Sequence, residues 1–586
     1  MGTFQWVWQY IRRNMKLLIP ATLLIFVNAA AIVVAPLIGG WIIDQVIGQG
    51  HTERLVPFLL IMIGVTLGRT IVRYIYQVIF EQVGQNVMWD IRHDLFEKLQ
   101  KLDFTFFNNV STGDIMARMT GDMDAIRNFV AWDSYNLIEC VLWFVTAILV
   151  MGSINWPLTL ALAALTPFIG FLTMHMSNEA HPVYFQIREA FAHLNSMVEE
   201  NISGNRVVKA FTREPYEIEK FNKLNDAYKA RNMDAARVSR RYLPPLDILA
   251  SMLSVIVLIL GGFLVIKGSM TLGDLVAFNG FLWMLNQPMR MSGWLINDVQ
   301  RFSASTIKIR RMLGAKSSIP VQDSEHYQKL QGYVTFDHVN FEYADAPEVP
   351  VLHDISFTVK PGETMGILGE TGSGKSTLMN LIARFYDPTS GEVLIDGKNA
   401  KDWPVRQLRD QITIVMQDLF LFSDTIQDNI SYGNRQAEPQ LIQHMADVAD
   451  ASQFIAEMPD GYDTVVGERG VGLSGGQKQR ISLTRALVKN PSILILDDTT
   501  SALDMETEAE IQKKLSPITQ KKTTFIIATR ISSLRHADQI IVLKHGDIIE
   551  RGTHDELIAK HGYYFDTYQK QLGALGVKGG ESNGEA

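Results

Sequence analysis

The chain has 586 residues, enough for about three or four domain-sized units, with a formal net charge of −8 and a single cysteine. One cysteine excludes an internal disulfide and a cysteine-built metal site, and with no basic block in the sequence nucleic acid is not an expected partner. Cys140 lies in an apolar run and reads as a small buried hydrophobe. The first half carries several long uncharged runs, whereas the second, from about Gln331, has the balance of a soluble α/β protein.

In chain order, Trp6, Trp8 and Tyr10 precede Arg12, Arg13 and Lys16, and the apolar stretch that follows is too long for a signal core. Residues 1–16 are therefore expected to lie at a membrane surface, among lipids. Residues 17–43 hold no charge and exceed the roughly 20 apolar residues that cross a bilayer. A second span is predicted at 55–80. The run 140–174 is too long for one crossing and is divided by Gly152-Ser153-Ile154-Asn155-Trp156-Pro157, which gives two. A fifth is expected at 243–266 and a sixth from 275, kinked at Pro288.

Six crossings put both termini on one side, and the basic residues before the first span make that side cytoplasmic, in a cell membrane. The inward loops, 84–132 and 177–240, show helical periodicity, as at Ile187, Phe191, Leu194 and Val198, so the membrane helices are predicted to continue beyond the bilayer. Each has a turn-rich middle, Ser111-Thr112-Gly113-Asp114 and Thr212-Arg213-Glu214-Pro215, that reads either as a docking elbow or as solvated charge. Arg69, Arg73, Glu139, Asp247 and Arg290 fall within spans, where they either line a water-filled cavity or pair between helices. Phe278, Phe281, Trp283, Met284, Met289 and Met291 crowd the sixth span, which suits an adaptable hydrophobic cavity or equally packing against helices and lipid. The expected layout is an interfacial segment at 1–16, a membrane domain at 17–310, a linker at 311–330, a soluble α/β domain at 331–572 and a disordered glycine-rich tail at 573–586.

Within the second half, the run Leu368 to Thr377 reads L-G-E-T-G-S-G-K-S-T between an apolar strand and a helical stretch. Gly369, Glu370, Thr371, Gly372, Ser373, Gly374, Lys375, Ser376 and Thr377 form a phosphate-binding loop whose glycines let backbone N–H groups turn toward phosphate oxygens. Lys375 is expected to reach the terminal phosphates of ATP and Ser376 to hold Mg²⁺. Asp497 ends the apolar run Ile493-Leu494-Ile495-Leu496 and is a second Mg²⁺ candidate, while Gln417, after Ile412 to Met416, is placed to touch the metal or the attacking water. Leu473-Ser474-Gly475-Gly476-Gln477 opens a helix and makes a second anion site without metal ligands of its own. Ser501-Ala502-Leu503-Asp504 follows the Asp497 strand.

The order of these motifs resembles the ATP-binding cassette domain, and the six upstream spans resemble the exporter arrangement with membrane and cassette parts fused, over about residues 5–575. The resemblance implies an α-helical six-span membrane domain joined to an α/β P-loop nucleotide-binding domain, with ATP and Mg²⁺ as cofactors and a second half-transporter as partner. It implies that Tyr343 stacks on adenine, that Leu473 to Gln477 complete the partner's site, and that Thr464 to Gly470 contact the intracellular loops. It also implies coupling helices around Gly113-Asp114 and Lys209-Ala210-Phe211.

Two positions depart from the family pattern. Asp498 stands where active cassettes carry glutamate, and a carboxylate drawn back by about 1 Å can cost about 10²-fold in rate. Thr529 stands where the family places a histidine that senses the γ-phosphate; His536 is out of register and is no substitute. Both losses strike hydrolysis and spare binding. The pattern resembles the degenerate-site half of a heterodimeric bacterial multidrug exporter, moving hydrophobic small molecules. A homodimeric exporter or lipid flippase, and a nucleotide-gated channel or regulatory subunit, are the competing expectations.

Overall fold

The computed structural model describes residues 2–319, 327–344, 346–499 and 505–576. Two compact units emerge: one comprises the chain up to Gln100 with Thr112–Ala315, the other Lys101–Ser111 with the chain from Lys316 on. The soluble unit thus begins earlier than residue 331 and takes in an eleven-residue piece from between two membrane helices.

Among the described residues of the first unit, five helices are long and apolar enough to cross a membrane: Thr3–Gly48, Thr52–Gln100, Thr112–Ile154, Trp156–Ser203 and Glu214–Ile266. The sixth expected crossing is Leu272–Leu313, of the same order of length, whose apolar stretch is broken by Asn279, Asn286, Gln287 and Arg290. At 49 residues, Thr52–Gln100 is about 70 Å long, more than twice a hydrocarbon core of about 30 Å, so the predicted extension is present. The run 140–174 divides at Asn155, whose extended backbone ends one helix and whose side chain caps the next by accepting from Leu158 N at 3.1 Å. The N-terminal stretch forms the helix Thr3–Ile11, tied to the second long helix by Tyr10 to Asp94 at 2.9 Å and Arg13 to Asp90 at 3.0 Å. Where the first and sixth helices cross, a Cβ on Gly40 would stand 2.6 Å from the Gly273 carbonyl oxygen, so only glycine permits that approach.

The five ionisable residues singled out within the spans have polar partners on other helices. The Tyr76 hydroxyl donates to Glu139 Oε1, Arg73 lies 4.0 Å from Glu139 Oε2, Arg69 donates to Asn28 at 3.4 Å, and Arg290 meets Asp247 at 3.3 Å. Pairing offsets the cost of holding charge in a bilayer. Of the crowded sixth-span side chains, Phe278, Phe281 and Met284 are fully buried among neighbouring helices and line no open wall, whereas Trp283 remains half-exposed with its ring 5.3 Å from Trp143.

The second unit is built on two sheets. Strands β1 (Val334–Glu342), β2 (Pro350–Val359), β4 (Ser390–Ile395) and β5 (Lys398–Asn399) form an antiparallel sheet ordered β2-β1-β4-β5. The strands β3 (Thr364–Gly369), β6 (Ile412–Val415), β7 (Ile493–Asp497), β8 (Thr523–Ile527), β9 (Gln539–Lys544) and β10 (Asp547–Gly552) form the other, ordered β10-β9-β3-β8-β7-β6. All its neighbours run parallel except β9 and β10. Every residue of β7 is buried, as expected of a parallel strand covered on both faces. The helix Tyr563–Gly576 takes up the first four residues of the stretch predicted as a disordered tail; residues 577–586, like Ser501 to Asp504, lie outside the described residues.

Within the second unit the helix Phe104–Asn109 packs against residues of the later chain, while the stretch around Gly113-Asp114 belongs to the helix Thr112–Ala117 of the first unit. The Phe104 ring lies 4.7 Å from Phe385, and Asn108 donates to Tyr386 OH at 3.0 Å. Asp103 caps the helix through Phe106 N at 3.2 Å and accepts from the Ser318 N–H and hydroxyl, each at 2.5 Å. Burial pushes its carboxyl up, but the hydrogen bonds from Ser318, Phe106 and Ser317 outweigh this and hold it below the usual carboxylate range. Asp103→Ala removes the cap and strands the Ser318 N–H, at a cost of about 2 kcal/mol. Amide hydrogen exchange over Phe104–Asn109 should then quicken about 30-fold, and unchanged protection would show that the cap does not hold the segment.

Candidate functional site

Parallel register brings the chemistry together. Ile367 of β3 and Asp497 of β7 both pair with Ile527 of β8, and Val415 of β6 pairs with Leu496, so the phosphate loop, Gln417, Asp497, Asp498 and Thr529 all follow the same ends of adjacent strands. Ligands of parallel α/β sheets collect at these carboxyl ends.

The loop leaves β3 at Gly369 and turns into the helix Lys375–Ile382 through Gly374, whose φ of 101° is open to glycine and strained for other residues. Glu370, Thr371, Gly372 and Ser376 are exposed, while Ser373 and Thr377 are buried. Ser373 Oγ is buried with no hydrogen-bond partner, a donor left over by the protein's own bonding. Lys375 Nζ donates to its own loop, to Gly369 O at 2.8 Å and Glu370 O at 2.7 Å. Burial pulls its ammonium below the usual lysine range, against the upward pull of Asp497 and Asp498. The result is a half-desolvated cation resting on neutral carbonyls, ready to exchange them for phosphate oxygens.

Ser376 donates to Asp497 Oδ2 at 3.1 Å. Burial raises the Asp497 carboxyl and Asp498 adds to this, while Ser376 and Lys375 act the other way. A hydroxyl and a carboxylate side by side are hard oxygen donors and fit Mg²⁺, which keeps several waters and takes the rest of its shell from phosphates. Gln417 stands exposed at the bend two residues beyond β6. Tyr343 follows β1 directly; its hydroxyl is 2.9 Å from Thr377 Oγ1, and its ring meets Phe341 and Tyr386 edge-on, so the sequence-predicted aromatic does stand beside the phosphate-loop helix.

Asp498 adopts φ 50° and donates its N–H to Ile527 O at 2.9 Å, which fixes its backbone against β8. Thr529 is exposed two residues beyond β8, and its carbonyl accepts from Gln571 at 2.8 Å. The signature turn is closed by a reciprocal cap: Ser474 N donates to Gln477 Oε1 at 2.9 Å and Gln477 N to Ser474 Oγ at 3.3 Å, at the start of the helix Gly475–Val488. Leu473 packs into the helical part of the unit, while Ser474 and Gly475 face outward. In the segment Thr464 to Gly470, Val465 is exposed and bridges to Thr425.

Arg485, on the signature helix, escaped the sequence reading. Its guanidinium donates to Phe420 O at 3.0 Å and Asn429 O at 2.7 Å, holding the stretch after Gln417. The only sequence signal was a basic residue among apolar neighbours on that helix.

The chain is similar to known proteins over nearly its whole length. Residues 18–289 match the family described as ABC transporter transmembrane region, and residues 352–501 the family described as ABC transporter. An uncharacterized ABC transporter ATP-binding protein of Bacillus subtilis (strain 168), YknU, is 39% identical, covering 97% of this chain and 98% of that protein. YgaD of the same organism, whose name proposes a multidrug export ATP-binding/permease protein, is 34% identical over 96% of this chain and 98% of its own length. A bacterial Atm1-family ABC exporter solved with ATP bound superposes with a TM-score of 0.80 at 27% identity, covering 98% of this chain and 99% of the other.

Since the hydrogen bonds of Lys375 among the described residues go to its own loop, Lys375→Ala should leave the fold intact while removing charge-assisted contacts to phosphate. ATP affinity, read by displacement of a fluorescent nucleotide, is expected to fall about 100-fold; an unchanged affinity would show that nucleotide does not sit on this loop.

Proposed function

The chain belongs to the ABC transporters, multi-pass membrane proteins that hydrolyse ATP, and from this premise we propose that it is one half of a heterodimeric exporter of hydrophobic or amphipathic compounds. In this reading both termini and the cassette are cytoplasmic, in a bacterial cell membrane. The chain's own site binds ATP with Mg²⁺ and cleaves it slowly, while Leu473 to Gln477 serve an active site on a partner that carries its own glutamate and histidine.

The observation that carries the reading is Asp498. Its backbone is bonded to β8, so the missing methylene is not recovered by a shift of the chain, and the carboxylate stays about 1 Å short of where glutamate would place it. Thr529 offers a hydroxyl where an imidazole would serve the third phosphate. Binding groups are in order: Lys375 is free to leave its carbonyls, Ser373 has a spare donor, and Ser376 with Asp497 would hold Mg²⁺, joined by Gln417. When bound, Mg²⁺ supplies charge neutralisation at the β- and γ-phosphates. Tyr343 would present its ring to adenine. The multidrug export name of YgaD, which is similar to this chain over nearly its whole length, supports the cargo class.

The test is steady-state ATPase activity in lipid, for the chain purified alone and for the chain copurified with its genomic neighbour of similar length. The chain alone should be nearly silent and the pair active, with Ser474→Ala in this chain lowering the activity of the pair about 10²-fold through the site it completes. Vigorous hydrolysis by the chain alone would overturn the asymmetric reading in favour of a homodimeric exporter. With a partner whose signature facing Lys375 is itself altered, restoring both positions, Asp498→Glu with Thr529→His, should raise turnover of the pair only modestly, and a full second active site would count against asymmetry.

A further inference from the structure

The C-terminal helix Tyr563–Gly576 touches the nucleotide site at two places that are distant in sequence. At its first turn, the Tyr563 hydroxyl donates to Glu370 Oε1 at 2.8 Å. Two turns on, Gln571 donates through Nε2 to Thr529 O at 2.8 Å and accepts at Oε1 from Ile531 N at 3.0 Å. Eight residues of helix separate the contacts, a rise of about 12 Å. One end of the helix therefore holds the phosphate loop, and the other holds the loop after β8.

The helix is itself anchored. Glu550, on β10, accepts from Tyr563 N at 2.5 Å and Tyr564 N at 3.1 Å, which satisfies two first-turn amides and places a carboxylate at the positive end of the helix dipole. Lys544 lies 5.3 Å from the Tyr563 ring centroid, and Tyr564 is fully buried against β9 and its neighbours. These contacts fix the direction of the Tyr563 hydroxyl.

Glu370 is also the residue whose carbonyl accepts from Lys375 at 2.7 Å. Its side chain is held from the C-terminal helix while its main chain holds the ammonium that must reach phosphate. Burial raises the Tyr563 phenol and its bond to the Glu370 carboxylate raises it further, so it stays a proton donor across physiological pH.

We propose that the C-terminal helix is a strut of the nucleotide site, in which Tyr563 positions the phosphate loop through Glu370 and Gln571 positions the loop after β8 through Thr529 and Ile531. The proposal rests on the reading of this loop as an ATP-holding site and adds the elements that set its width. Both side chains act through other residues, Glu370 at one end and Thr529 with Ile531 at the other, and are positioning residues. A strut of this kind preserves the spacing between phosphate loop and β8 loop at a position where Thr529 no longer contributes an imidazole.

The test is ATP affinity of the full-length chain in lipid, read by displacement of a fluorescent nucleotide, together with thermal unfolding measured without nucleotide. Tyr563→Phe keeps the ring over Lys544 and removes only the hydroxyl; Gln571→Ala removes both contacts of the other end. Each should weaken ATP binding about tenfold, the worth of one charge-assisted or two neutral hydrogen bonds, with the melting temperature unchanged. Glu370→Gln keeps an acceptor for the Tyr563 hydroxyl and should recover most of the affinity that Glu370→Ala loses, a rescue that plain loss of stability would not produce. Wild-type affinity in both strut variants overturns the proposal while leaving the ATP-holding reading intact. No ATP binding by the wild-type chain, with Lys375→Ala indistinguishable from it, overturns that reading and the strut with it.

Discussion

Parallel pairing of β3, β8, β7 and β6 is the constraint from which the soluble unit follows. Once Ile367 and Asp497 share Ile527 as their cross-strand neighbour, the segments that leave these strands have no choice but to meet at one edge of the sheet. The same ladder decides how well each segment can act. Asp498 is fastened to Ile527 by its N–H, so the reach of the carboxylate is set by side-chain length alone. Sequence and register meet there in a single methylene.

The phosphate loop shows a complementary economy. Burial disfavours the ammonium of Lys375, and two nearby carboxylates favour it. The carbonyls of Gly369 and Glu370 satisfy its hydrogen-bonding needs without neutralising it. Triphosphate replaces neutral acceptors with anionic ones, and the gain is realised in a partly dry environment where charge-assisted bonds are stronger. Thr529 has no part in this arrangement, and Asp498 enters it only through its charge, which favours the Lys375 ammonium.

Much of this was legible in the sequence because the governing physics is local. Bilayer thickness sets the length of apolar runs, and phosphate geometry demands its glycines, Lys375 and Ser376 within a few consecutive residues. Signals that rest on distant partners were not legible. The helix Phe104–Asn109 looks like any apolar continuation of a membrane helix, and what distinguishes it is contact with Tyr386, 278 residues away. Arg73 and Glu139 read as either cavity or glue until folding set them side by side. Phe278, Phe281 and Met284 carried an apolar signal that serves a packed core as well as a binding wall, and only burial distinguishes the two. Gln571 sat at the edge of a stretch whose glycine content suggested disorder, yet eight helical residues carry it from Tyr563 to the Thr529 loop.

One chain leaves a good deal of its apolar surface uncovered. None of the most apolar window of the helix Thr52–Gln100 is buried, and at the tip between the helices Trp156–Ser203 and Glu214–Ile266 the side chains of Ile202, Val207, Phe211 and Tyr216 are exposed. Lipid accounts for the first of these, since hydrocarbon is the natural solvent of such a helix. The tip carries Lys209 and Glu214 in an ion pair beside its aromatics, a mixture typical of a surface that meets protein and not lipid tails. The outward-facing Ser474 and Gly475 make the same demand from the soluble unit, because their turn is already closed by its own cap and has backbone amides to offer only to something outside. A second chain answers both demands at once. In the proposed pair, ATP held at this chain's site would keep the two cassettes together for as long as it stays bound, a mechanical task that requires no hydrolysis there.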